Sequence, residues 1–170
     1  ARSENSLTQS DEFFDLVGVV ESVIADATFE ATTKGVHINP HLADAQASAR
    51  PSIQGRAELI RRAIENVIRN AIRYSATGQQ IDVTVRFDTA ENTYTVEILD
   101  EGPGLTEAEI EKMFEPFIRH DERSGGFGLG LTIAAELVRG HGGTLILERS
   151  DASGTSFCIT LPKGNFGAPS

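Results

Sequence analysis

The chain has 170 residues, 39% of them hydrophobic, which is enough for one well-packed domain. Fifteen basic residues against 25 acidic ones leave a formal charge of −10, which argues against a broad nucleic-acid footprint, since that needs clustered Lys and Arg. There is no run of eighteen apolar residues and no signal-peptide pattern, so the sequence predicts no membrane span, and the single cysteine, Cys158, excludes an internal disulfide.

Residues 1–10 are polar and predict a linker, 11–163 a single domain, and 164–170 a flexible tail. From Phe14 to Gly35, Val17, Val20, Val23, Ile24 and Ala27 recur at helical spacing, and Gly35 suits a C-cap. "VHINPHL" predicts a short strand, followed by an Ala/Ser/Pro-rich loop. The next helix is predicted from about Arg56 to Tyr74, with Ile60, Ala63, Ile64, Val67, Ile68, Ala71 and Ile72 as its buried stripe. "IDVTVRF" and "YTVEILD" alternate and are joined by "DTAEN", which predicts an antiparallel hairpin. A short helix begins near Thr106, where Thr106 and Glu109 fit a capping box. Leu131 to Arg139 is helical and "GHGG" stops it; "TLILE" and "SFCITLP" form a second hairpin, with Cys158 as a small core or sheet residue. Helices and antiparallel strands in this order predict a two-layer α/β sandwich with a mixed, mostly antiparallel sheet on about three helices.

The stretch "SGGFGLGLT", residues 124–132, looks like a phosphate loop. Gly125, Gly130 and Thr132 match three positions of the lysine-bearing phosphate loop, but Leu131 stands where the lysine should be. The dinucleotide fingerprint starting at Gly126 fails at the same residue. Taken alone, the stretch is equally compatible with a flexible surface loop.

Three other segments bear on the choice. In "ENVIRNAIRYS", Asn66 and Asn70 are four apart and share one helix face, extended by Arg62 and Arg73. Asn is a weak helix former, so two of them beside basic residues suggest a hydrated cation and phosphate, although an ordinary polar stripe also fits. In "DEGPGL", Asp100 ends an apolar strand, where a buried carboxylate needs a donor such as an exocyclic amine. Gly102 and Gly104 allow a sharp turn and close backbone approach, and a plain Asp-Glu-Gly turn is the alternative. In "FEPF", Phe114 and Phe117 bracket Pro116, as core packing at a helix end would also do.

Together and in this order, these segments resemble the N, G1, F and G2 boxes of the ATP-binding catalytic domain of two-component sensor histidine kinases. The resemblance spans about Phe13 to Pro162 and includes "HGGTL" and "GTSFCITLP". It implies a Bergerat fold that takes ATP and Mg²⁺. Asn70 would ligate the metal with Asn66 assisting, Arg73 would meet phosphate, and Tyr74 would pack on or near the adenine. Asp100 would accept from the adenine amine, with Gly102, Gly104 and Thr155 shaping or bordering that pocket. Gly126, Gly128, Leu129 and Gly130 would bring backbone to the phosphates at the start of the last helix, as helix N-termini favour. Arg119 and Arg123 would lie in a lid and reach the γ-phosphate.

The same fold serves ATPases that carry a glutamate as general base four residues before the metal-binding asparagine. Here that position is Asn66, which accepts no proton at neutral pH, and Glu65 is turned about 100° away along the helix. Phosphoryl transfer is therefore expected over hydrolysis, with a hydrolysing ATPase, a serine kinase of the same fold or a regulatory nucleotide-binding module as alternatives. "HDERSG" at His120 lacks the proline of a phosphoacceptor motif and runs into glycines, so it reads as a chance match, and His37, His41 and His141 read as structural. The resemblance then implies an upstream helical phosphoacceptor domain that dimerises, a response regulator as partner, and a cytoplasmic setting within an inner-membrane sensor.

Overall fold

In a computed structural model, residues 12–42, 53–113 and 129–164 are described. The expected linker at 1–10, "FEPF", Arg119 and Arg123 (expected in a lid), His120, Gly126, Gly128 and most of the tail lie outside those residues. Among the described residues, four helices and seven strands follow one another: β1 Phe13–Phe14, α1 Leu16–Lys34, β2 His37–His41, β3 Ile53–Gln54, α2 Ala57–Tyr74, β4 Gln80–Asp88, β5 Thr93–Asp100, α3 Glu107–Met113, α4 Leu129–Arg139, β6 Thr144–Asp151 and β7 Gly154–Pro162.

Local chemistry sets most of the boundaries. Asp15 caps α1 by accepting the Val17 N–H at 3.1 Å, and Gly35 closes it in the left-handed region at φ 80°. The expected capping box opens α3: Thr106 and Glu109 bond each other's backbone N–H at 2.8 and 3.0 Å. In the β4–β5 turn, Asp88 Oδ1 accepts from Ala90 and Glu91, and Asn92 takes a φ of 59°.

Five strands form one sheet in the order β2-β4-β5-β7-β6, with β2 parallel to β4 and every other pair antiparallel. Alternation assigns the faces. Ile81, Val83 and Val85, then Tyr94, Val96 and Ile98, then Phe157, Ile159 and Leu161 join the buried cluster with α1, α2 and α4. All seven residues expected in the α2 stripe are buried, and each fully buried isoleucine contributes roughly 1.5–3 kcal/mol. The two-layer, mostly antiparallel expectation therefore holds.

Two features differ from the sequence reading. Phe13–Phe14 and Ile53–Gln54 pair as a separate two-stranded ribbon, too short for periodicity to reveal. The last helix also starts at Leu129 rather than Leu131, which puts Gly130 inside its first turn. Leu131 itself is 1% exposed in the core, so the position that lacks a lysine is a packing position.

Candidate functional site

One end of the site is built on α2. Its apolar stripe faces the core, and helical spacing leaves Asn66, Asn70 and Arg73 on the flank. They line an open cavity of about 820 Å³, together with Arg69, the α1 residues Glu30 and Lys34, and Gly130 of α4. Asn66 Nδ2 donates to Gly130 O at 3.1 Å, which ties α2 to the glycine helix and leaves Oδ1 available to a cation. Glu65 is not among the lining residues, and Arg62, expected on this face, is exposed and does not line the cavity either.

Several lining residues escape sequence reasoning, Lys34, Arg69 and Glu30 among them. Lys34 Nζ donates to the carbonyls of Ile72 and Arg73 at 2.9 and 2.8 Å, closing the C-terminal turn of α2 from 38 and 39 positions away. Arg69 pairs with Glu30 at 3.3 Å across the cavity wall. Arg69 sits three positions after Asn66, so helical spacing could have found it, whereas nothing local points to Lys34.

The other end is built on strand pairing. Asp100 continues the core-facing parity of Tyr94, Val96 and Ile98, so alternation carries a carboxylate into the core, where it is 3% exposed. Oδ1 accepts the N–H of Gly102 at 2.8 Å and that of Thr155 at 3.3 Å. Oδ2 takes no protein donor among the described residues and is the oxygen left for a ligand. Burial pushes the Asp100 carboxyl above the ordinary aspartate value, and the two N–H groups and Arg149 only partly oppose it.

Glycine is required here by space. A Cβ on Gly102 would stand 2.6 Å from Tyr74 O, and one on Gly104, at φ 86°, would collide with Asp151 O. Tyr74 is half-buried beside Glu109 and Arg73; burial and then the Glu109 charge push its phenol up to about 12. Thr155 is buried opposite Asp100 on β7. So Asn66, Asn70, Arg73 and Gly130 form one group, and Asp100, Gly102, Gly104 and Thr155 another. The groups meet where α2 ends at Tyr74, next to Gly102. Gly126, Gly128, Arg119 and Arg123 lie outside the described residues, and Leu129 opens α4.

His141 and His41 make contacts within the fold. His141 Nε2 accepts the Arg56 N–H at 3.1 Å, and Nδ1 meets Leu137 O at 2.9 Å, so the neutral Nδ1–H tautomer satisfies both. His41 bonds Asp82. Cys158 is free and buried, and burial together with Glu148 and Glu97 raises its thiol.

Residues 55–165 match the family described as histidine kinase-, DNA gyrase B-, and HSP90-like ATPase. Sensor protein BasS of Escherichia coli K12 is 31% identical over 169 residues, covering 99% of this chain and 45% of its own length. Sensor histidine kinase WalK of Bacillus subtilis is 35% identical over 107 residues, covering 61% of this chain and 18% of its own. The chain thus spans less than half the length of these curated relatives. Among solved structures, the mycobacterial sensor histidine kinase MprB matches with a TM-score of 0.71 and 25% identity, over 90% of this chain and 97% of that one. The matched span, the ordered motifs and the shared fold agree: this chain belongs to the histidine kinase-, gyrase B- and HSP90-like ATPase family, as a catalytic ATP-binding domain of the histidine-kinase kind.

Proposed function

We propose that the domain binds Mg-ATP and donates the γ-phosphate to a histidine on a separate helical domain, in two-component signalling. One observation carries the reading. A single helix, α2, holds Asn66, Asn70 and Arg73 along an open cavity and ends with the Tyr74 carbonyl against Gly102, beside buried Asp100. A polar end suited to phosphate and a buried end suited to a base edge are thereby joined in line.

The residues fit a hard cation: amide oxygens of Asn70 and Asn66 would hold Mg²⁺, with Arg73 on phosphate. When bound, the metal neutralises charge on the transferring phosphoryl group. The chain's own part is to orient and to exclude a base. Asp100 Oδ2 accepts from an amine, Arg73 offsets phosphate charge, and position 66 offers an amide tied to Gly130 O, which takes no proton from water. This favours transfer over hydrolysis. Lid arginines Arg119 and Arg123, with Gly126 and Gly128, would complete the phosphate end. In the whole protein the partners would be a dimerising phosphoacceptor domain and a response regulator, with the domain on the cytoplasmic side of a membrane sensor. No described helix is long and apolar enough to cross a membrane.

Calorimetry with ATP, with and without Mg²⁺, on wild type and Asn70→Ala tests this. Wild type should bind Mg-ATP without steady turnover, and Asn70→Ala should lose the magnesium-dependent part. An added helical domain carrying an acceptor histidine should become phosphorylated. Absence of binding at millimolar Mg-ATP would overturn the reading, and steady hydrolysis would move the chain to the ATPase branch.

A further inference from the structure

Beyond Asp100, a chain of hydrogen bonds reaches the base end from the β6–β7 hairpin. Ser150 Oγ accepts the Leu105 N–H at 2.8 Å and lies 2.9 Å from Thr155 Oγ1. Thr155 pairs with Ser150 on one side and with Asp100 on the other, and its N–H bonds Asp100 Oδ1. Ser150 owes this place to a β-bulge. Leu145 and Leu147 pair with Ile159 and Phe157 on the core face, and the register then slips between Leu147 and Arg149. Without that slip, Arg149 would stand opposite Thr155; with it, Arg149 turns out to Asp151 and Ser153, and the serine turns in. Bulges that re-aim a side chain commonly sit beside sites.

A hydroxyl has one proton. The Leu105 N–H fills one of the two acceptor positions on Ser150 and polarises its hydroxyl as a donor, which favours the direction from Ser150 to Thr155 Oγ1 for the bond they share. That direction frees the proton of buried Thr155 for a ligand. The pocket then presents an acceptor, Asp100 Oδ2, beside a donor, Thr155 Oγ1–H. A 6-amino purine presents the complement, an amine donor beside a ring-nitrogen acceptor, whereas a 6-oxo purine presents the reverse.

We propose that Ser150 is a positioning residue that fixes the direction of the Thr155 hydroxyl and so makes the site select 6-amino over 6-oxo purine nucleotides. The proposal rests on the nucleotide reading above. It is tested by titrating wild type, Ser150→Ala, Ser150→Thr and Thr155→Val with ATP, inosine triphosphate and purine riboside triphosphate, which keeps the ring acceptor but lacks the amine. Ser150→Ala should weaken ATP and purine riboside triphosphate by roughly three- to tenfold, leave the inosine nucleotide unchanged or tighter, and so narrow the ATP-to-inosine ratio. Ser150→Thr should restore the ratio. If Ser150→Ala does not fold, Thr155→Val, which leaves the Leu105 bond intact, should narrow the ratio by the same factor. Equal weakening of all three nucleotides, or an unchanged ratio, overturns the role of Ser150 while the nucleotide reading stands. Failure of wild type to bind any of them overturns both.

Discussion

The two ends of the site are built on opposite principles. At the end proposed to take the base, residues far apart in sequence are clamped by backbone: Asp100 is held by the N–H groups of Gly102 and Thr155, and Gly104 lies against Asp151 O. At the end proposed to take phosphate, side chains on one helix border an open cavity, and among the described residues outside its own helix backbone Gly130 has nothing nearer its Cβ position than Asn66 at 3.8 Å. The buried end gains selectivity from rigidity, because a misplaced polar group there has no water to turn to. The open end tolerates change because water and long side chains can fill in.

Glycine replacement should separate the two ends most sharply. Gly104→Ala forces a side chain into a positive φ and against a carbonyl, and should cost roughly 2–5 kcal/mol in chemical denaturation together with nucleotide binding. Gly130→Ala, within a helix and facing ordinary contact distances, should be neutral or slightly stabilising. Similar losses at both positions would erase the contrast.

Asp100→Asn comes next. Oδ1 on the Gly102 and Thr155 N–H groups is kept, but an amide nitrogen replaces the oxygen left for an amine, so ATP affinity should fall roughly 10- to 100-fold. Stability should respond to pH in a set direction. The folded carboxyl is raised, so the native state keeps its proton where the unfolded chain has lost it. The wild type therefore loses stability from this group as pH rises from about 4, the unfolded value, through the raised folded value, and is level above it. The unfolding free energy of wild type minus that of the Asp100→Asn variant should fall across that window, and a flat difference would remove the case for a desolvated carboxylate.

Smaller effects belong to the phosphate end. Lys34→Met removes two bonds to the last carbonyls of α2 and should cost about 1 kcal/mol, weakening ADP several-fold through Arg73 while leaving adenosine binding nearly unchanged. Equal loss for both ligands would show that Lys34 supports the whole site rather than one end. Arg69→Ala breaks an exposed pair with Glu30 and should change stability by less than about 1 kcal/mol in the same assay.

This contrast also explains what was legible in the chain. Asn66, Asn70 and Arg73 could be placed on one face because helical spacing is a local property, and the seven buried residues of α2 follow from the same period. Asp100 could be read as buried because strand alternation is local too. Partners were not legible. That Oδ1 is held by Thr155, that Lys34 closes α2 and that Asn66 bonds Gly130 O depend on contacts across 55, 38 or 39, and 64 positions. The β6 bulge shows the limit most clearly: strict alternation would turn Arg149 toward the core, and only the pairing register puts Ser150 there. The sequence by itself determined the elements, their buried faces and the ordered motifs, because these follow from periods of 3.6 and 2 and from turn chemistry. Which groups meet, and which oxygen is left for a ligand, was decided by tertiary packing, because it depends on how distant strands register and how closely backbones approach.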